Sequence, residues 1–284
     1  MHLSNVCVFC GSSEFISFKA QNFEYLQCKE CSSIAIVDDQ VPKYDNDYYS
    51  FSSSNYRLNV VELFFIKIKG YFPFILYPLL CGFTRRGLGP WIGMLSKGQV
   101  WLDYGAGNGV LTQVCEGYLK SDNYFYDPYA KSTSSSFIQE FSEAHNAKFA
   151  LITMSHCLEH SLNPSEEIQR VSVLLASGGQ LVVRIPVWSS FWGEKRRESW
   201  IQLDPPFHRH IPSVEGLRQL LNANGFQISN EIYDGSEFPW VNSFRILKKF
   251  TRYKVLKYLV RLAQGFLNYA KFSDQVVIIA NKKK

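Results

Sequence analysis

Residues 100–109, VWLDYGAGNG, allow few folds. The apolar residues 100–102 are typical of a buried parallel strand, and Asp103 ends that run. Three glycines then alternate with small residues: Gly105, Gly107 and Gly109. Glycine has no Cβ, so the backbone can turn sharply here and approach a ligand closely. A helical pattern follows, and a strand that passes through a glycine turn into a helix is the first unit of a doubly wound α/β sheet.

The spacing of these glycines indicates which ligand the turn binds. Dinucleotide-binding turns have the spacing G-x-G-x-x-G, with the pyrophosphate at the helix N-terminus. Here the spacing is G-x-G-x-G, and the charge of Asp103 would repel pyrophosphate but favour a cationic or hydroxyl-bearing ligand. The D-x-G-x-G-x-G pattern resembles the first motif of class I S-adenosylmethionine (SAM)-dependent methyltransferases. The resemblance implies that Asp103, Gly105, Gly107 and Gly109 bind SAM; a glycine turn in an unrelated βα unit is the alternative.

A second acidic residue follows the next predicted strand, residues 123–126. Asp127 lies about 20 residues beyond the glycines, where an acid at a strand end accepts hydrogen bonds from ribose hydroxyls. It matches the ribose-binding acid of the same family, which implies a contact with the SAM ribose. A turn aspartate before Pro128 is the alternative.

The segment MSHCLEHSLNP, after a predicted strand at residues 148–155, carries a further resemblance. Many small-molecule methyltransferases have a similar "LEH" segment beside the methyl donor. His156 is therefore a candidate catalytic residue, and His160 a candidate cofactor-binding residue or a structural residue that orients the loop. The family resemblance continues through an amphipathic helix at 164–175, Gly178-Gly179 as its end and a strand at 180–185. It covers roughly residues 101–226 and implies a Rossmann-like class I methyltransferase sheet with helices on both faces.

Residues 188–212 follow this last strand and are rich in aromatic and charged side chains. Loops at the carboxyl ends of the strands build the active site of a doubly wound sheet. We expect these aromatics to stack on a sugar or ring, and the histidines to transfer protons. The candidate catalytic residues are therefore His208, as the first choice, with His156 and His210.

Two C-x-x-C pairs lie near the N-terminus, separated by seventeen residues. Four thiolates at the corners of a tetrahedron suit Zn²⁺, so Cys7, Cys10, Cys28 and Cys31 are the predicted metal ligands. Short strands at 15–18 and 23–27 would complete a zinc ribbon. Disulfide or redox chemistry is the alternative, although the polar N-terminus gives no sign of export and we expect a cytoplasmic protein with reduced thiols.

The sequence divides into three parts. Residues 1–40 form the predicted zinc ribbon, 41–98 a linker or lid with the apolar stretch 70–83, and 99–284 the methyltransferase domain. A basic insertion at 241–272 precedes the last predicted strand, residues 274–280. It carries eight cations and no acid, interleaved with apolar residues, in a chain of net charge +5. It predicts a helix or helix pair that contacts an anionic membrane surface, a phosphate-bearing substrate or RNA, or that simply faces solvent.

These patterns favour a SAM-dependent methyltransferase that also binds Zn²⁺. The order of zinc module and methyltransferase domain resembles sugar C-methyltransferases, which continue into a further C-terminal domain, and a group of ribosomal RNA methyltransferases. We expect methylation of a saccharide or saccharide-like acceptor, such as a polysaccharide or nucleotide-sugar, at a hydroxyl group. An rRNA or tRNA methyltransferase, and a non-catalytic zinc-ribbon protein with a vestigial cofactor fold, are the alternatives.

Overall fold

A computed structural model describes residues 6–37, 60, 64, 98–116, 122–235 and 254–283. Apart from positions 60, 64 and 98, the predicted linker or lid at 41–98, with its apolar stretch 70–83, lies outside the described residues. The same is true of residues 236–253, which include the start of the basic insertion. No helix within the described ranges is long and apolar enough to cross a membrane.

Fifteen helices and strands are named here. The strands in chain order are β1 Phe15–Ala20, β2 Phe23–Cys28, β3 Ile34–Ile36, β4 Val100–Tyr104, β5 Asp122–Tyr126, β6 Phe149–Ser155, β7 Leu175–Pro186, β8 His210–Ile211, β9 Phe226–Tyr233 and β10 Gln275–Lys282. The helices are α1 Val110–Glu116, α2 Pro164–Leu174, α3 Phe191–Lys195, α4 Val214–Ala223 and α5 Lys254–Tyr269.

The larger sheet has six strands in the order β5-β4-β6-β7-β10-β9. The first four are parallel, and β10 runs antiparallel to both β7 and β9. This mostly parallel sheet between helices confirms the predicted Rossmann-like α/β class. Because β4, β5 and β6 are neighbours and parallel, their carboxyl ends meet at one edge, where ligands bind in such sheets.

Helices α2 and α4 begin at side chains that cap them. Asn163 accepts a hydrogen bond from the Glu166 N–H, and Ser213 accepts one from Gly216 N at 2.8 Å. Such caps satisfy N–H groups that have no partner inside the helix. The apolar faces of both helices are buried in one core with alternate residues of β4, β6 and β7. The other alternate residues of these strands are buried too, so both faces of the sheet are covered.

Between β5 and β6, residue Phe137 forms one parallel bridge with Phe125. One local prediction differs from the structure. Helix α2 ends at Leu174, so Gly178-Gly179 does not end it; both glycines lie inside β7, where the pairing with β6 shifts register. A strand that starts directly after the helix leaves no room for a glycine cap.

The cysteine module joins the domain instead of standing apart. Strands β1, β2 and β3 form an antiparallel sheet, and β8 adds to it through Ile34–Ile211 and Ala35–His210 pairing. The predicted boundary at residue 40 therefore divides the sequence but not the sheet. This pairing fixes the cysteines against α4, beside the methyltransferase-like core.

Candidate functional site

The glycine turn after β4 is held against the end of β5. The glycines 105, 107 and 109 all have positive φ angles, between 56° and 75°. The N–H groups of Gly105 and Ala106 both donate to the Tyr126 carbonyl, at 2.8 and 3.0 Å. Residues 105–108 remain partly exposed, so the bend faces solvent and is open to a ligand.

Asp127 points toward this bend. Its Oδ2 accepts a hydrogen bond from Gly107 N at 2.9 Å, and its Oδ1 accepts from the N–H groups of Tyr129 and Ala130 at 2.9 and 3.0 Å. Asp127 is 8% exposed. Three backbone donors thus hold the carboxylate in one orientation beside the glycines.

Asp103 is buried and oriented by its neighbour on β6. The two strands pair Asp103 with Thr153, whose hydroxyl donates to Asp103 Oδ1 at 2.8 Å. The same hydroxyl oxygen accepts a hydrogen bond from Trp101 Nε1 at 3.0 Å. The Asp103 charge is therefore positioned at the start of the bend.

At two of these positions, close packing of neighbouring side chains requires glycine, in addition to the backbone angle of the turn. A Cβ at position 105 would lie 2.3 Å from the Cβ of Cys157, and one at position 109 would lie 2.4 Å from the Phe125 ring. Cys157 follows β6, and its thiol donates to the Tyr104 carbonyl at 3.3 Å. The segment after β6 therefore lies directly against the bend.

This segment and the loop before β8 bring three candidate histidines and one glutamate together. We call them the His–Glu cluster: His156, Glu159, His160 and His208. Glu159 Oε1 lies 3.2 Å from His156 Nδ1 and 3.9 Å from His208 Nε2. The rings of His160 and His208 pack edge to face, with centroids 4.7 Å apart. Glu159 is completely buried, whereas the His156 side chain is 31% exposed.

His156 ends a chain of polar contacts that starts inside the sheet. The Arg184 guanidinium forms a 2.7 Å ion pair with Asp234 and donates to Gln275 Oε1 at 2.9 Å. The Gln275 amide in turn contacts His156 Nε2. His156 also has a φ of 52°, a strained conformation for a residue that is not glycine.

The histidines of the cluster are kept neutral by their surroundings. Burial and the nearby Arg184 lower the pKa of His156 to about 3, and burial lowers the pKa of His160 to about 4. Burial also lowers the pKa of His208, although the nearby Glu159 opposes this shift. Neutral imidazoles can accept a proton or bind a metal ion through one nitrogen.

His210, the third catalytic candidate, lies elsewhere. It is on β8, paired with Ala35, and its ring packs edge to face against Phe9 at 6.5 Å. It lines a cavity of about 1110 Å³ between the cysteine module and helices α2 and α4. The structure therefore brings His156, His160 and His208 together but leaves His210 outside the His–Glu cluster.

The tryptophans that we expected to stack on a sugar are core residues. Trp188, Trp192 and Trp200 are only 0%, 8% and 1% exposed, and they pack with β1, β2 and β3 in a second hydrophobic core. The expectation that these three rings bind an acceptor is therefore wrong. These three rings instead pack against β1, β2 and β3 and so hold the cysteine module on the domain.

The four module cysteines converge as their spacing predicts. Cys7 and Cys31 have sulfurs 3.6 Å apart, Cys10 and Cys28 have sulfurs 3.5 Å apart, and all four lie within 4.8 Å of one another. These distances are far longer than a disulfide bond of about 2.05 Å. They are close to the separation of about 3.8 Å that four ligands 2.3 Å from a tetrahedral zinc would have.

Sequence reasoning did not select Glu159, Thr153 or Cys157 as site residues. Glu159 gave one usable signal, because an acid between two histidine positions directly after a parallel strand faces the ligand edge. Thr153 and Cys157 gave none, since their roles depend on strand register and on close packing against Gly105.

The family comparison agrees with this geometry. A family model described as a methyltransferase domain matches residues 79–231, more than half of the 284-residue chain. The chain belongs to this methyltransferase family. The match spans the glycine bend, Asp127 and the His–Glu cluster. No curated protein sequence matches the chain significantly.

The solved structures that match this methyltransferase-family chain share little sequence with it. The cyclase SpnF is 17% identical, with 66% of this chain and 77% of that chain covered and a TM-score of 0.46. A phosphoethanolamine N-methyltransferase of Haemonchus contortus is 14% identical over 68% of this chain and 50% of its own, with a TM-score of 0.44. A SAM-dependent methyltransferase of Methanosarcina mazei is 17% identical over 66% of this chain and 94% of its own, with a TM-score of 0.42.

Proposed function

We propose that this protein transfers the methyl group of SAM to a hydroxyl of a saccharide or saccharide-like acceptor. The observation that carries the cofactor part of the proposal is the orientation of Asp127, whose carboxylate is fixed against Gly107 at the glycine bend. Family membership supports methyl transfer in general. The acceptor class comes from the resemblance of the module order to sugar methyltransferases.

Asp103, Asp127 and the three glycines form the proposed SAM site. The buried charge of Asp103 favours the cationic groups of SAM. Asp127 is already oriented to accept hydrogen bonds from ribose hydroxyls, since backbone N–H groups hold it in place. His160 adds a side chain from the segment that packs on the bend, through Cys157 against Gly105.

The proposed chemistry needs alignment and removal of one proton. SAM supplies an activated methyl group, so the protein must place the acceptor oxygen in line with it. A hydroxyl acceptor also loses a proton, and His156, whose side chain is 31% exposed, is the imidazole of the His–Glu cluster that we propose to accept it. His208 Nε2 lies 3.9 Å from Glu159 Oε1, the same oxygen that faces His156. The position of His210 gives it no support as the proton acceptor.

Calorimetry tests the cofactor site. We expect the wild-type protein to bind SAM. Asp103→Ala and Asp127→Ala should each weaken SAM binding by at least about tenfold, because each removes a charge-assisted hydrogen bond of about 1.5–3 kcal/mol. Glu140→Ala, which removes an exposed acid, is the matched control. Absence of SAM binding by folded wild type would overturn the enzyme reading and favour the non-catalytic alternative.

Incubation with labelled SAM tests the acceptor class. Saccharide, nucleotide-sugar and RNA pools are offered separately, and the labelled product is identified by mass spectrometry. Label in the saccharide or nucleotide-sugar pool supports the proposal, and label in RNA alone favours the rRNA or tRNA alternative. If RNA is already released from the protein at a low salt concentration, the binding is weak, which would argue against a specific RNA substrate.

The cysteine cluster supports Zn²⁺ as a second, structural cofactor. The sulfur separations fit a tetrahedral thiolate site, and Cys7, Cys28 and Cys31 are buried. A zinc ion in such a module supplies folding free energy that its small core lacks. We propose that it stabilises the sheet on which β8 docks.

A peripheral contact with an anionic membrane is also proposed, at helix α5. The helix is 16 residues long, and its sequence carries cations without acids. Leu259, Leu262, Phe266 and Tyr269, which lie on one helical face, are 44% to 67% exposed. A basic helix with an exposed apolar face is suited to the boundary between headgroups and acyl chains.

A further inference from the structure

The His–Glu cluster contains three side chains arranged as a set of metal ligands. One ligand atom from each of Glu159, His160 and His208 lies within 4.8 Å of the other two. They come from two separate segments, the turn after β6 and the loop before β8. The Arg209 N–H donates to the Glu159 carbonyl at 2.8 Å, which ties the two segments together.

Glu159 is the second, independent observation. Its side chain is 0% exposed, and neither carboxylate oxygen receives a well-directed hydrogen bond from the residues that the structure describes. A buried carboxylate without such partners is strongly unfavourable unless a cation compensates its charge.

The two histidines are held in the tautomer whose Nε2 is available to bind a metal ion. His160 Nδ1 lies 3.0 Å from the Phe207 carbonyl, and His208 Nδ1 lies 2.6 Å from the Gln202 carbonyl. A carbonyl only accepts, so each Nδ1 donates its proton and each Nε2 carries the lone pair. Metal-binding histidines typically donate the proton of the other ring nitrogen to a carboxylate, a backbone carbonyl or a water.

We propose that Glu159, His160 and His208 bind a divalent transition-metal ion. Two imidazoles and one carboxylate suit zinc, iron, manganese or cobalt, whereas calcium and magnesium prefer oxygen ligands alone. Ligands about 2.1 Å from the ion would be about 3.4 Å apart, so His208 Nε2 and Glu159 Oε1 must approach by about 0.5 Å from 3.9 Å. We expect rotation of these two side chains to provide that movement.

The site is distinct from the cysteine cluster and lies beside the glycine bend. Three protein ligands leave a coordination position for water or an acceptor oxygen, as in catalytic metal sites. A metal there would polarise an acceptor hydroxyl, which eases loss of its proton to His156. This role rests on the proposed function, whereas metal binding itself does not. His208 then acts as a ligand and not as the proton acceptor.

Metal counting with Co²⁺ tests the site. Full-length protein with zinc in its cysteine cluster is titrated with cobalt chloride, followed by absorption spectroscopy and elemental analysis. We expect about one cobalt ion per chain in addition to about one zinc ion, with a spectrum that lacks thiolate-to-cobalt charge transfer. Glu159→Gln and His160→Gln should each weaken cobalt binding more than the about 10–100-fold caused by loss of an outer-shell partner.

Controls separate the site from other effects. His145→Gln changes a histidine outside the cluster and should leave the cobalt affinity unchanged. Circular dichroism and urea unfolding without added metal show whether each variant folds. Wild-type protein that takes up no cobalt beyond the cysteine cluster overturns the proposal, whatever the variants do. So does folded Glu159→Gln protein with wild-type cobalt affinity. Cobalt binding without methyl transfer would retain the metal site and reject only the proposed function.

Discussion

Individual residues at the bend serve packing and ligand access together. Gly105 has a φ of 75°, and a Cβ there would overlap Cys157. Gly178 has a nearly equal φ of 72° but no atom within 4 Å of a built Cβ. A comparison of alanine substitutions at Gly105 and Gly178 therefore separates the cost of an unusual backbone angle from the cost of a steric clash.

We expect Gly105→Ala to lower the free energy of unfolding by about 2–5 kcal/mol. A positive φ costs about 1–2 kcal/mol for a residue with a Cβ, and overpacking adds about 1–3 kcal/mol. Gly178→Ala should lose only the first of these amounts, as measured by urea unfolding. Equal losses in the two variants would mean that the contact with Cys157 relaxes without cost.

Asp274 gives a pH dependence whose sign is fixed by burial. It is 2% exposed and accepts a hydrogen bond from Trp200 Nε1 at 2.9 Å. Burial raises its pKa from 3.8 to about 6. The folded protein therefore binds this proton more tightly than the unfolded chain, and the contribution of Asp274 to stability falls as pH rises from about 4 to about 6.

Asp274→Asn should remove this contribution while keeping an acceptor oxygen for Trp200. As pH rises from about 4 to about 6, the free energy of unfolding of the variant should increase relative to that of wild type by about 3 kcal/mol. This amount corresponds to the difference of about 2 between the folded and unfolded pKa of Asp274. Urea unfolding at several pH values measures the difference. A difference between variant and wild type that stays constant over this interval would contradict the raised pKa.

Among the elements, α5 has the clearest exposed apolar face. Phe266 is 67% exposed on a helix whose opposite side buries Val260, Gln264 and Asn268. Asn268 fixes that side by donating to the Gly235 carbonyl at 3.0 Å. The exposed face is thus held outward by its own buried contacts.

Phe266→Ser should weaken binding to anionic vesicles by about 10–100-fold, since burying a large apolar side chain contributes about 1.5–3 kcal/mol. Sedimentation with phosphatidylserine-containing vesicles measures this, and vesicles of phosphatidylcholine alone should bind less. Val173→Ser, at a 53% exposed position on α2, is the control and should bind as wild type does. Wild-type protein that stays in solution with both vesicles would reject the membrane contact.

At the scale of the whole molecule, the cysteine module and the methyltransferase domain share a sheet and two cores. Ser33 accepts from Ser213 N at 2.9 Å, and the Ser213 hydroxyl donates to the Cys31 carbonyl. A Cβ at Gly216 would lie 2.2 Å from Ser33 Oγ. The start of α4 therefore fits the module only with glycine at position 216.

Gly216→Ala should destabilise the protein by about 1–3 kcal/mol through overpacking at this contact. Ser33→Ala removes the clashing oxygen but leaves the Ser213 N–H without that acceptor, at a cost of about 1–3 kcal/mol. The double variant should therefore lose less than the sum of the two single losses. Thermal unfolding measured for all four proteins gives the coupling, and simple additivity would show that the module does not pack on α4 as described.

The sequence alone determined the sheet class, the strand after which the glycine bend falls, the convergence of four cysteines and the position of Asp127 beside the bend. These depend on local patterns: apolar runs, glycine spacing and short C-x-x-C turns. Only the tertiary structure decided that three tryptophans are core, that β8 joins the cysteine module and that Glu159 meets His160 and His208. Each of these depends on contacts between segments far apart in the chain, which no local pattern encodes.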